Sequence, residues 1–180
     1  MQKTAQTQKR SSLVIEIISV LKENEIFSEI VTRQHDTEAL FQKVLFLRLQ
    51  KKLPSMLSSI LGFSEKKSTK IAEEDFKWEQ KVTTPVPSFN FFATNHRPDA
   101  VLEINEELRV AIELKKGDSG QSLRAGIGQA LVYSTQFDFT IYLFIDITKA
   151  LDIRSSFNGS KEQALINSLW KNYNVKFIVV

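Results

Sequence analysis

From residue 99 to residue 115, apolar side chains recur at every second position with a single interruption, and no other pattern in the chain restricts the fold so tightly. Ala100, Leu102 and Ile104, then Leu108, Val110, Ile112 and Leu114, recur at every second position on either side of Asn105, Glu106 and Glu107. Successive side chains of a strand point to opposite faces, so a period of two marks a strand with one buried face. Two such runs joined by three polar residues predict an antiparallel hairpin in which Ile104 faces Leu108. Slipping that register by one residue would turn every apolar side chain out to solvent, so the pattern also predicts the cross-strand partners. On the second face Glu103 meets Arg109, a favourable pair, and Asp99 meets Glu113, an unfavourable one.

The rest of the chain predicts the layers around this hairpin. A helix is expected over residues 117–136, followed by an almost wholly apolar strand over 139–147, as found when both faces of a sheet are covered. A further helix over 158–173 and strand over 175–180 repeat the theme. Upstream, residues 12–30 and the stretch after Thr37 read as helices. The second carries Leu40, Phe41, Val44, Leu45, Leu49 and Leu53 on one face and is bent or restarted at Pro54, with Gly62 as a helix end. Residues 1–11 are polar and basic and are expected to form a mobile tail. Residues 63–97 are charged, then rich in Pro and aromatic residues, and are expected to be a variable insert with one short strand over 77–83. The expectation is a single α/β domain over 12–180.

The 180 residues are 42% hydrophobic and 25% charged, as in ordinary globular domains. No cysteine is present, which excludes disulfides and cysteine-ligated zinc and suits a reducing, cytoplasmic setting. No signal peptide is read in the basic start, and no apolar run approaches the ~20 residues of a membrane span. A net charge of +3 permits contact with nucleic acid without arguing for it. No Gly-rich phosphate loop, Ser-His-Asp set or HExxH motif occurs.

Two carboxylates ~5 Å apart repel, so one must hold a proton or a cation must lie between them. Lys115 follows Glu113 by two residues, and the strand period brings its amine to the same face while Leu114 turns into the core. A solvated strand face would also alternate charges. The crossover that follows, however, sets the Glu113 strand inside the sheet, where charges need a purpose.

Arg97, Pro98 and Asp99, thirteen intervening residues, then Glu113, Leu114 and Lys115 resemble the PD-(D/E)xK signature of restriction-endonuclease-like nucleases. The resemblance covers roughly residues 30–150. It implies an αβββαβ core with a mixed central sheet flanked by helices. It further implies phosphodiester hydrolysis, with Mg²⁺ or Mn²⁺ held by Asp99, Glu113 and the Leu114 carbonyl and with Lys115 orienting water. Many members carry an acidic residue on the first core helix. Glu38 is the first choice here and Glu29 the second, although a Glu in a first turn also complements the helix dipole without any catalytic role.

Gln129 and Tyr133 resemble the QxxxY element of several branches of that superfamily. Four residues apart, they share one helix face, opposite Ile127, Ala130, Leu131 and Ser134, and are expected beside the catalytic lysine or the nucleic-acid backbone. Lys116 and Arg124, and Lys66, Lys67 and Lys70 upstream, are candidate phosphate contacts, with Lys77 and Lys81 as further basic residues in that stretch. Phe89, Phe91 and Phe92 either stack on an unpaired base or pack on the core. His96 and His35 are weaker candidates, since a lone histidine in a loop is usually incidental. The expected partner is nucleic acid, DNA before RNA, in a restriction, defence, recombination or repair setting. A homodimer or a targeting partner protein would be compatible, as would a non-catalytic binding or scaffold role on the same fold.

Overall fold

The computed structural model describes residues 2–23, 37–81, 85–105, 107–148, 152–157 and 160–180. Its centre is the hairpin. β4 (Ala100–Ile104) and β5 (Leu108–Gly117) pair antiparallel with Ile104 opposite Leu108 and Ala100 opposite Ile112, the register that the alternation predicts. All seven alternating apolar residues enter one core cluster. On the second face Arg109 and Lys77 both bind Glu103, at 3.3 and 2.7 Å.

β5 is also the strand at which the sheet changes character. On its far side β6 (Phe139–Asp146) runs parallel to it, and β7 (Val175–Val179) runs parallel to β6. On the near side β1 (Phe76–Trp78) pairs antiparallel with β4, so the five-stranded mixed sheet has the order β1-β4-β5-β6-β7. All eight positions of β6 are buried, which explains its unbroken apolar sequence: helices cover it on both sides.

The first face is covered by α1 (Gln2–Leu21) and α2 (Glu38–Met56), through Leu13, Ile17 and Leu21 of one and Phe41, Leu45, Leu49 and Leu53 of the other. The second face takes α4 (Gly120–Tyr133) and α6 (Ser160–Tyr173), where Ala130, Ile166 and Leu169 meet Tyr142, Phe144 and Phe177. Full burial of one such side chain is worth about 1.5–3 kcal/mol, so these two layers dominate stability. No helix among the described residues is long and apolar enough to cross a membrane.

The structure differs from the sequence reading at several places. α1 begins at Gln2, so the stretch 1–11 expected as a mobile tail is helical over its described residues. Gln, Lys and Ala are good helix formers and extend the helix beyond its buried half, Leu13 to Leu21. Its expected continuation to residue 30 lies outside the described residues, as do Glu29 and His35. In α2 the buried stripe includes Gln42 and Phe46, whereas Leu40 and Val44 are partly exposed. The stretch 63–97 contains the expected short strand as the edge strand β1, which begins earlier and is shorter than 77–83, and it adds α3 (Glu65–Lys70) and a separate hairpin, β2 (Phe89–Phe91) with β3 (Thr94–His96). A six-residue helix, α5 (Asp152–Phe157), was not anticipated. α2 itself passes Pro54 without a break, and the π-helical turn Leu57–Leu61 that follows ends at Gly62 with φ of 73°, a left-handed cap that glycine adopts freely.

Candidate active site

Pairing between β4 and β5 stops at Ala100, and Asp99 lies one residue beyond. The two backbones there hold each other's acids. Leu114 N–H donates to Asp99 Oδ2 at 2.7 Å, and the Asp99 N–H donates to the Glu113 carboxylate. Asp99 is 9% exposed and Glu113 3%. Burial raises the Asp99 carboxyl from the usual 3.8 to about 7, against the Leu114 amide, which favours its charge; the Glu38 carboxylate adds to the rise. Burial likewise raises Glu113 from 4.5 to about 8, and the charge of Asp99 contributes. Near neutral pH the pair therefore shares protons unless a cation replaces them.

Lys115 stands on the same face as Glu113, as the strand period requires, but its amine is engaged. Its Nζ lies 3.2 Å from Glu38 Oε1, while Glu38 Oε2 accepts from Lys116 N–H at 3.0 Å. Desolvation works against the charge of Lys115, yet Glu38, Glu113 and Asp99 outweigh it and hold the ammonium above its usual range. Glu38 opens α2, capped by the Thr37 hydroxyl on Leu40 N–H. Gln80 Nε2, just past β1, donates to Ala39 O at 2.5 Å and fixes that first turn against the sheet. Glu38 thus reaches the site through the lysine and stands outside the pair Asp99 and Glu113. No cluster of three or more Asp, Glu, His or Cys side chains suited to a metal ion occurs among the described residues.

The second layer is built by α4. Tyr133 is fully buried, and its hydroxyl lies 3.3 Å from Glu113 Oε2 and 3.0 Å from Arg97 O, while Gln129 Nε2 donates to it at 2.7 Å. One phenolic proton serves two acceptors. With Glu113 protonated it remains on the Arg97 carbonyl, and with Glu113 ionised it can turn to the carboxylate. Burial and the neighbouring Glu113 keep the phenol from ionising in the ordinary range. The helix comes this close because residue 126 is glycine: a Cβ there would fall 1.8 Å from the Tyr142 hydroxyl. That hydroxyl is buried without a hydrogen-bond partner among the described residues, on the strand position that pairs with Glu113.

Two neighbours escaped the sequence reading. Glu79 follows β1, and its N–H donates to Asp99 O at 3.0 Å, so Glu79, Asp99, Glu113 and Tyr142 form a row across four strands. Arg97 forms an ion pair with Glu79. The register of β1 would have revealed both, but three residues carry no period from which to read it.

The candidate phosphate contacts divide. Lys116 is at the site, its Nζ 5.6 Å from the Phe41 ring centroid. Arg124 is exposed on α4, with its guanidinium over Gly120. Lys66, Lys67 and Lys70 are not gathered here. Lys67 lies over Phe63 and Lys70 pairs with Glu74, in a segment packed against Gln50, about 18 Å along α2 from Glu38 at 1.5 Å per residue. Lys77 binds Glu103, and Lys81 binds the carbonyls of Glu73 and Phe76. His96 stacks on Phe89 at 5.8 Å, in the small hairpin.

Two buried carboxylates, each held by the other's strand and sharing the charge of Lys115 with Glu38, are a donor set suited to one hard divalent cation, which commonly keeps several waters beside one or two carboxylates. Comparison of the chain with protein-family models, with curated proteins and with solved structures finds no match.

Proposed function

We propose that this chain is a metal-dependent phosphodiesterase of the PD-(D/E)xK kind, hydrolysing nucleic acid, DNA in preference to RNA. The observation that carries this reading is the meeting of Asp99, Glu113 and Lys115 at the end of β5, with both carboxylates buried and raised. The element order α2, β1, β4, β5, α4, β6 supports the restriction-endonuclease-like αβββαβ core.

Asp99 and Glu113 would hold Mg²⁺ or Mn²⁺, with the backbone of Leu114 alongside. A cation there supplies Lewis-acid stabilisation of the phosphate's developing charge and makes a water acidic enough to attack. Lys115 does the rest of the polar work. Released from Glu38, its ammonium can orient the attacking water or donate to the phosphate oxygen on which charge accumulates. Glu38 holds that ammonium in place before substrate arrives. Tyr133, steered by Gln129, donates to Glu113 in its ionised form and so favours the state that binds a cation. Water adds to phosphorus, the ester P–O bond breaks, and the leaving oxygen takes up a proton.

The test is incubation of the protein with single-stranded, duplex and gapped DNA and with RNA, in Mg²⁺ or Mn²⁺. Cleavage by wild type, reduced at least 100-fold in Lys115→Ala, is expected. Equal cleavage by the variant would remove Lys115 from the mechanism, and no cleavage of any substrate by wild type would remove the proposal.

A further inference from the structure

The small hairpin beside the site is built against its own turn chemistry. Phe91 pairs with Thr94, leaving Phe92 and Ala93 as a two-residue loop, and both have positive φ, 50° and 60°. Such a loop favours Asn-Gly or another glycine-bearing pair, because a β-carbon is strained in that region. Phe92 is also 90% exposed, the most exposed large hydrophobic residue described. Neither the turn nor the core gains from a phenylalanine here. A strained, solvated aromatic side chain is the kind of outlier that argues for a role outside folding.

The rest of the hairpin is an anchor for that ring. Phe89 packs edge-on against Tyr133 and Phe137, with centroids 6.0 and 6.1 Å away, and stacks on His96. Tyr133 is the residue whose hydroxyl touches Glu113 and Arg97. β3 then runs through Arg97 and Pro98 directly into Asp99. The tip is therefore mounted on the same tyrosine as the site, and Asp99 is seven positions along the chain from Phe92, a reach of at most about 25 Å.

We propose that Phe92 is a base-stacking wedge that engages an unpaired nucleotide near the scissile phosphate, so that the preferred substrate is single-stranded or gapped nucleic acid. The inference rests on the phosphodiesterase reading and adds its substrate class. The exposed neighbours of the ring are Asn90, Ala93, Thr94 and Asn95. The Phe92 ring is supported edge-on by Phe91, with centroids 4.6 Å apart, and its outer face is bordered by amides and a hydroxyl, which suits a base with its π-face and polar edges. A protein partner would call for a broader apolar patch. At ~3.4 Å per stacked base, the wedge lies within about seven nucleotides of the cleaved bond.

Binding is measured in Mg²⁺ with Lys115→Ala protein, using single-stranded, gapped and fully paired DNA that carries 2-aminopurine at successive positions. Added Phe92→Ala is expected to weaken binding to single-stranded and gapped DNA about 10- to 100-fold and to abolish the stacking quench at one position. Phe92→Trp should restore both, and Phe92→Leu, apolar without a π-face, should not. Thermal melting confirms that each variant folds. Unchanged affinity in Phe92→Ala, an equal loss on fully paired DNA, or full rescue by Leu would each overturn the wedge while leaving the nuclease reading intact. Loss of a copurifying protein with no change in nucleic-acid affinity would assign the ring to a protein surface instead. A wild-type chain that neither binds nor cleaves any nucleic acid would remove both proposals.

Discussion

At the scale of single residues, the energetics turn on two acids that the fold keeps from water. Both carboxyls are raised above their ordinary 3.8 and 4.5, to about 7 and about 8, so from about pH 4 upward the folded chain holds protons that the unfolded chain has released. Stability contributed by these groups is full below pH ~4 and lost as pH rises through 7 to 8. The loss is of the order of a few kcal/mol. Asp99→Asn and Glu113→Gln are neutral at every pH and escape it. In metal-free buffer each variant should melt at or above wild type at pH 8.5, and the difference should shrink towards pH 5. Denaturation profiles across that range check this, and variants that melt several degrees lower at pH 8.5 would mean that the charges stabilise the site instead of straining it.

At the scale of elements, the site depends on how near α4 can approach β6. Gly126 is the contact point, beneath the ring of Tyr142, and it fixes the height at which Gln129 and Tyr133 meet Glu113. Gly126→Ala places a methyl where the Tyr142 hydroxyl now lies. A destabilisation of about 1–3 kcal/mol is expected, with cleavage reduced beyond what the unfolded fraction explains, because the Gln129–Tyr133 pair moves off Glu113. Denaturant melts together with single-turnover rates at a temperature where the variant is fully folded separate the two effects. A variant with wild-type rates would show that the helix position is not critical.

The same scale explains what could be read before the structure. The β4–β5 register was legible because seven alternating apolar residues admit only one pairing, and that pairing alone set Asp99 against Glu113. Thr37 and Glu38 were legible as a helix start, although nothing local showed that the start would face Lys115 seventy-seven residues later. β1 was legible only as a short strand, expected over 77–83 and found at Phe76–Trp78; three residues without periodicity gave no register, and the placement of Glu79 was lost with it. The phenylalanines of residues 89–92 share one composition and have opposite fates. Only the hairpin separates Phe89, which anchors on Tyr133, from Phe92, which stands in solvent.

At the scale of the whole molecule, the site lies where the antiparallel and parallel halves of one sheet meet at β5. Each layer contributes one part: the hairpin provides the acids, α2 provides Glu38 to hold Lys115, and α4 provides Gln129 and Tyr133. The surrounding core is apolar, so two adjoining buried acids are an electrostatic conflict within it. The decisive measurement is the number of divalent ions that the whole chain holds. Mn²⁺ titrated at pH 8 and followed by electron paramagnetic resonance should show a bound ion in wild type that weakens markedly towards pH 6, as protons reoccupy the carboxylates. That ion should disappear in Asp99→Asn and in Glu113→Gln while both variants remain folded. Wild-type Mn²⁺ binding in either variant, or no binding in wild type at pH 8, would contradict the claim that this carboxylate pair is a metal site.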